Sequence, residues 1–440
     1  MRRDQLGESL RNKLLDVYGS CTALKVSLAY YMTQMFAWIE KNGWAGWDPY
    51  DVWETELGLW MLSGRRGIVK RGASFFISVI EKLAPLLVRR ILRVEPKINA
   101  KAMGLFAYSF LELEVVEGES RRIGGEPAYL SCFRWLERNR VDHYGGWGWG
   151  YPFDWQSREL IPRNTPTVVN SAIIGDAYWL LYCCHNDLKA LQVCESICEF
   201  ITKGLNRSPR AEDSSFCFSY TPVDHFQVHN ANLFGAEFLV RIGTEVGRDE
   251  WVNIGLAAGR FSLKEIRSDG TLNYWSNEQD LDGLQQDAYH SGFEIRALDG
   301  IARATGDKEF RKAADRYFET WLRDFFSEDG VPSFIRGRHD IIEVHSCAES
   351  LLCAVEMHES GRLSKASLVE HVKRVLDATV NALWTQDGPE KGYFAWMRHK
   401  RYGFNTKVDI PLMRWGEAWM FRALSAMLVA LRCDTMDCAI

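Results

Sequence analysis

The second half of the chain repeats itself, and the period of the repeat limits the folds open to it. Five times, a stretch rich in Gly and aromatic residues leads through a few polar residues into a very apolar segment. A short polar turn and a charged amphipathic segment follow. "GWGWGYPFDWQSRELIPRNTPT" precedes "VVNSAIIGDAYWLLYCC", "FCFSYTPVDHFQVHN" precedes "ANLFGAEFLVRIG", and "LNYWSNEQDLDGLQQDAYH" precedes "SGFEIRALDGIARATG". "VPSFIRGRHDIIEVHS" then leads into "CAESLLCAVEMHESG", and "GYFAWMRHKRYGFNTKVDIPLMRW" into "GEAWMFRALSAMLVALR". Asn170, Asn230, His290, His345 and Trp415 hold equivalent places, about 55 to 70 residues apart, which is the size of a helical hairpin plus a long loop. Units of this kind cannot bury their apolar faces alone and stack on one another.

Within each unit the first helix is apolar nearly all round, as in 168–184. The second shows one apolar stripe, as in Phe310, Ala314, Phe318, Leu322 and Phe325. A helix hydrophobic on every side belongs inside and an amphipathic one faces water, so an inner ring wrapped by an outer ring is expected. Fainter helical patterns occupy 21–42, 53–62, 69–93, 98–116 and 124–139, with "NGWAGWDPYD" at 42–51 as the one early aromatic loop. The reading is an all-α chain folded as one α/α toroid over 1–440, with six or seven hairpins, divergent over 1–140 and clear over 141–440. An open α-solenoid has the same periodicity without closure. Strand signal is confined to short loop segments such as "FCFSY" and "LNYW".

Composition narrows the function classes. The chain of 440 residues is 47% hydrophobic and 25% charged, with a formal net charge of −5, so a substantial globular core is expected. No Lys/Arg run is dense enough to follow a nucleic-acid backbone, and nucleic acid is not an expected partner. The N-terminus is charged and lacks the apolar core of a signal peptide, and no run approaches the ~20 apolar residues of a membrane span. A cytoplasmic location is expected. Eleven Cys in no spacing framework read as reduced, mostly buried thiols. No metal or cofactor is expected: Cys183, Cys184 and His185 in "YCCHND" read as a buried thiol pair and its neighbour, because adjacent cysteines point apart. "DLDG" at 280–283 lacks the rest of a calcium loop. Nothing in the sequence sets an oligomeric state.

In a toroid the loops leading into the inner helices emerge at one end of the central cavity, so residues just before those helices converge. Candidates for chemistry are His290, Tyr289, His229, His345, Asp287, Asp224, Glu349 and Arg414. Candidates for binding a substrate are Trp147, Trp149, Tyr151, Asp154, Trp155, Arg158, Tyr220, Asn230, Tyr274, Trp275, Trp415 and Glu417. An aromatic wall with a few ionisable groups suits a sugar: rings stack on its C–H face, while carboxylates and Arg bind its hydroxyls or a uronate. Each residue also has a structural reading. Aromatic loop residues fill core ends, Asp224 and Asp287 cap helices, Arg414 pairs with Glu417 along the helix, and single histidines are structural or exposed.

The segment "YHSGFEIRALDGIARATGDKEFRKAADRYF" resembles the hairpins of α/α-toroid carbohydrate-active proteins, among them N-acylglucosamine 2-epimerases, uronate C5-epimerases and polysaccharide lyases. The combination of "GWDPYD", "GWGYPFDWQSR", "TPTVVN" and "YHSGF" is similar to uncharacterised proteins of bacterial polysaccharide biosynthesis clusters. The resemblance implies a sugar or oligosaccharide as partner. It departs from the 2-epimerases, whose His-x-x-Glu becomes His345 and Glu349 four residues apart in "HSCAE". The Asn, His, Tyr and Arg types used by toroid lyases occur as Asn230, His290, Tyr289 and Arg414 without the family's motif order.

The expected function is an enzyme acting on an acidic sugar or glycan by acid–base chemistry, of lyase or epimerase type. Removing a weakly acidic proton beside a carboxylate needs a base such as His290, His229 or His345, a partner such as Tyr289, and Arg158 or Arg414 to hold the developing charge. One alternative is a glycoside hydrolase with two carboxylates drawn from Asp154, Asp224, Asp287, Glu349 and Glu417. Another is a non-catalytic glycan-binding protein of polysaccharide biosynthesis.

Overall fold

The structure, a computed structural model, describes residues 2–63, 67–279, 286–385, 391–401 and 404–432. In chain order its α-helices are α1 (Arg2–Asn42), α2 (Glu56–Leu62), α3 (Ile68–Leu83), α4 (Pro85–Ile91), α5 (Ala100–Glu117), α6 (Ala128–Arg138), α7 (Val168–His185) and α8 (Leu188–Glu199). Then come α9 (His229–Val246), α10 (Asp249–Lys264), α11 (Ala288–Thr305), α12 (Lys308–Asp324), α13 (Val344–Glu359), α14 (Lys365–Leu383) and α15 (Ala418–Arg432).

Helices α5, α7, α9, α11, α13 and α15 form the inner ring. Each packs on the next, and α15 packs back on α5, which closes the toroid and removes the open solenoid from consideration. The outer ring is α6, α8, α10, α12 and α14, each against the inner helix before it, with α1 against α15. The two ends of the chain therefore build the sixth hairpin together. The stretch 53–93, expected to add N-terminal hairpins, does not join either ring. Its short helices α2, α3 and α4 lie against the strands Trp155–Gln156 and Phe404–Pro411.

Local sequence explains where the inner helices begin and end. Side chains of Asn99, Thr167, Asp287 and Glu343 accept first-turn backbone N–H groups of α5, α7, α11 and α13, satisfying donors that the helix itself leaves open. Left-handed residues Gly118, Asn186, Gly247 and Gly306 terminate α5, α7, α9 and α11. Close approach within the ring requires small residues. A Cβ on Gly104 would meet Ile174 Cγ1 at 2.7 Å, and one on Gly292 would meet Glu349 Cγ at 2.7 Å.

The loop before α15 carries more strand than expected. Ala395–Arg401 and Phe404–Pro411 form an antiparallel hairpin, and Ile341–Glu343 adds a third strand. "FCF" at 216–218 pairs with Arg207–Pro209, while the "LNYW" segment contributes only the Val228–Trp275 bridge. Cys183 and Cys184 are exposed, correcting the expectation of a buried pair, because they sit in the last turn of α7 beyond the packed layer. No helix among the described residues is long and apolar enough to cross a membrane.

Candidate active site at the mouth of the inner ring

All six inner helices present their N-terminal ends to one end of the ring, and the loops 42–51, 147–158, 216–228 and 271–279 arrive at the same end. This mouth gathers most of the residues singled out from the sequence. Asp287 caps its helix and also holds a histidine ring. Its Oδ1 accepts the His290 backbone N–H at 2.8 Å, capping α11, and its Oδ2 lies 2.7 Å from His290 Nδ1. An Nδ1–H donated to a carboxylate leaves Nε2 as the lone-pair nitrogen. The His290 side chain is 21% exposed, and no protein partner holds Nε2 among the described residues. The imidazole lies between two tyrosines, 4.0 Å from the Tyr289 ring centroid and 4.7 Å from that of Tyr274.

His345, at the same phase of the next repeat, is part of an aromatic stack. Tyr289 lies 4.6 Å away on one face and Trp419 4.9 Å on the other, with Trp415 edge-on at 4.6 Å. Neither ring nitrogen has a partner among the described residues. Burial, reinforced by Lys101 and Arg414, drives its pKa well below the usual range, so it is neutral at physiological pH. Glu343 caps α13 through the Ser346 N–H and accepts a hydrogen bond from Trp415 Nε1. Burial pushes its carboxyl up to about 7 even against these donors.

Two cations line the mouth near His345. Arg414 is buried and bidentate to Asp48, with Nε–Oδ2 at 2.6 Å and Nη2–Oδ1 at 2.7 Å, so the anticipated pairing with Glu417 does not form. Its guanidinium lies 5.0 Å from the ring centroids of Tyr151 and Trp415 and 5.7 Å from that of Tyr50. Lys101, on the first turn of α5, is almost wholly buried and has no carboxylate partner among the described residues; its Nζ donates to Tyr151 Oη at 3.2 Å. Burial alone would raise the Tyr151 phenol, but Lys101, Arg414 and a hydrogen bond from Tyr220 together hold it below the ordinary value. Burial lowers the Lys101 ammonium in turn. Sequence reasoning missed Lys101, Asp48, Tyr50 and Glu343. The "GWDPYD" loop and the position one residue into α5 were the available signals.

Half-buried rings form the rim. Trp155 lies edge-on to Tyr151 and Tyr220, at 6.1 and 5.7 Å. The Arg158 guanidinium covers the Trp275 ring at 3.9 Å and donates to the Gln279 carbonyl. Asn170 and Asn230, on the first turns of α7 and α9, are buried with amide atoms that find no partner among the described residues: both on Asn170, and Oδ1 on Asn230.

Other candidates lie elsewhere, each for a physical reason. His229 turns outward onto α10, where its ring nitrogens meet Ser262 Oγ and Glu265 Oε2 at 3.0 Å each. Asp224 is saturated by the N–H groups of Tyr220, Thr221 and Phe226 and the Thr221 hydroxyl, and serves to fold its loop. Trp149 is fully buried, donates to the Leu136 carbonyl and stacks on Tyr178; Trp147 packs edge-on against it under Arg140. Asp154 pairs with Arg163 on the surface. Glu349 lies deeper, held by Arg296 at 2.9 and 3.0 Å. Glu417 is buried toward the Phe394 N–H, and burial raises its carboxyl well above the usual range.

A cavity of about 390 Å³ occupies the ring toward the C-terminal ends of the inner helices. Phe293 and Trp419 line it and also touch His345, so they partition it from the mouth. Its arginines are engaged: Arg422 with Glu112, Arg241 with Asp176 and Glu237, Arg296 with Glu349 and Glu356, and Arg303 with Asp299. At the mouth, in contrast, Lys101, Glu343 and His345 have no oppositely charged partner among the described residues. No group of three or more His, Cys, Asp or Glu side chains among the described residues is arranged to hold a metal ion. The "DLDG" segment lies outside the described residues.

No protein-family model and no curated protein matches the chain. Solved structures do. A cellobiose 2-epimerase from Bacillus thermoamylovorans is 13% identical, over 76% of this chain and 87% of that one, with a TM-score of 0.54. A GH76 α-mannanase from Bacteroides thetaiotaomicron is 14% identical over 77% and 87%, TM-score 0.55, and an unsaturated glucuronyl hydrolase specific for heparin is 12% identical over 74% and 85%, TM-score 0.51. At such identities the shared property is the fold, and the chain is an α/α toroid.

Proposed function

We propose that the mouth is the active site of a carbohydrate-processing enzyme that acts on an acidic sugar or glycan by acid–base chemistry of lyase or epimerase type. The observation that carries this reading is the Asp287–His290 dyad, with Nε2 free, set among Tyr289, Tyr274 and Trp415 at the open end of the ring. A base oriented by a carboxylate and reaching into an aromatic-walled site is suited to taking a proton from a ring carbon. Lys101 and Arg414 would supply positive charge beside a uronate carboxylate or the enolate formed from it. The three solved structures above are named for acting on cellobiose, mannan and unsaturated glucuronyl groups, which supports a sugar as substrate.

The carboxylate-pair reading is less well supported. Asp224, Asp154, Glu349 and Glu417 are each engaged away from the mouth, and Asp287 is committed to His290 and the α11 cap. The motifs similar to proteins of bacterial polysaccharide biosynthesis clusters extend the proposal to a role in such a pathway. Incubation with uronate-containing oligosaccharides tests it: the ultraviolet absorbance of an unsaturated uronate, or inversion at the carbon bearing the carboxylate, is expected. Neither product from a panel of acidic glycans would count against the reading.

A further inference from the structure

The helix α3 carries its apolar stripe on the wrong side for a globular protein. Ile68, Gly72, Phe75, Phe76, Val79 and Leu83 fall on one helical face, at the spacing that normally turns toward a core. Here that face meets solvent: Ile68 is 91% exposed, Phe75 72% and Phe76 62%. Leu86, Leu87 and Ile91 of α4 continue the exposed apolar surface. Within α3 only Glu81 is buried. Isolated exposed apolar residues are ordinary, but a contiguous stripe across two helices marks a surface that is covered in use.

The charges around the stripe identify what covers it. Arg71, Lys82, Arg90 and Arg93 are exposed on α3, α4 and the turn that follows. The one carboxylate of α3 and α4, Glu81, is buried against Arg89. A protein whose overall formal charge is −5 thus carries a locally cationic, apolar ledge. An amphipathic helix with large apolar residues on one face and basic residues beside it is the form that lies in the interface of an anionic bilayer. The ledge is fixed to the toroid. Arg89, wholly buried, donates to Asp51 at 3.0 Å, to the Asp48 carbonyl at 3.1 Å and to Glu81 at 3.2 Å, and Asp48 in turn holds Arg414 in the mouth.

We propose that α3 and α4 form an in-plane docking element for the surface of an anionic lipid bilayer, which holds the mouth of the ring beside the membrane. The full chain is tested by co-sedimentation with vesicles of phosphatidylcholine alone and of phosphatidylcholine with phosphatidylglycerol. The variants are Phe75→Ser/Phe76→Ser and Arg71→Glu/Lys82→Glu, all at exposed positions, with thermal melts to confirm that the toroid is intact. Wild type is expected to pellet with the anionic vesicles and far less with the neutral ones, and each double variant to lose at least about tenfold of that binding. No pelleting with either vesicle, equal pelleting with both, or a wild-type dimer that Phe75→Ser/Phe76→Ser converts to monomer would overturn the proposal.

Discussion

Asp287 holds His290 twice, through the backbone N–H at 2.8 Å and through ring Nδ1 at 2.7 Å. One carboxylate therefore starts a helix and orients the imidazole proposed as the base, and the two contributions come apart on substitution. Asp287→Ala removes the cap and is expected to cost about 1 kcal/mol of stability. Asp287→Asn keeps a capping oxygen, so its melt should stay near wild type, while turnover falls by a factor on the order of 100 because the imidazole loses its carboxylate partner. Thermal melts and steady-state rates of the two variants check this. Equal turnover in wild type and Asp287→Asn would mean that the dyad is structural.

Stability should depend on pH through two groups of opposite sign. Glu343 is pushed up to about 7 by burial, so between its unfolded value and pH 7 the folded state binds the extra proton and stability falls as pH rises. His345 is driven well below its ordinary value by burial; below about pH 6.5 the unfolded state binds the extra proton and stability falls as pH falls. Relative to wild type, Glu343→Gln should gain stability as pH rises toward 7, and His345→Gln should gain it as pH falls below 6.5. Each slope approaches about 1.4 kcal/mol per pH unit. Denaturant melts from pH 5 to 8 measure both, and parallel curves for wild type and variants would contradict these protonation states.

The toroid was legible because its cause is repetitive. The apolar inner segments, their caps and the Gly or Asn stops recur at a period that only stacked hairpins accommodate. The site was legible only in part, because aligning the repeats places a residue in the first helical turn without fixing its exact position, and a shift of one residue turns a side chain by about 100°. His229 is the first residue of α9, His345 the second of α13 and His290 the third of α11, and accordingly His229 turns outward to Glu265, His345 is sealed in a ring stack and His290 faces the mouth. Lys101 and Asp48 escaped notice because packing of α5 on the neighbouring α7 unit brings Tyr151 to Lys101 and ring closure brings Arg414 to Asp48, and no local pattern encodes either contact.

Lys101 and Tyr151 should titrate as a pair. With Lys101 at 3.2 Å and Arg414 over its ring, Tyr151 is held below the ordinary phenol value despite its burial. Tyrosinate absorbance should show one group ionising ahead of the others in wild type, absent from Tyr151→Phe and shifted up in Lys101→Met. Identical titrations in all three proteins would remove the pair from the chemistry of the site.

The tryptophans first grouped together should separate into two kinds. Trp149 is fully buried with its indole N–H bonded to Leu136, and Trp149→Ala is expected to cost about 3–5 kcal/mol. Trp275 sits at the rim under Arg158, and Trp275→Ala should change stability by less than about 1 kcal/mol while weakening sugar binding several-fold. Melts and ligand titrations on both variants decide whether the rim or the core carries recognition.

Incorporation of solvent deuterium into a uronate-containing oligosaccharide tests the central claim most directly. Wild type should exchange the proton on the carbon next to the carboxylate, or eliminate with its loss, and His290→Ala should reduce that rate by a factor on the order of 100 or more. Release of reducing ends without exchange, at a rate that His290→Ala leaves unchanged, would contradict the account.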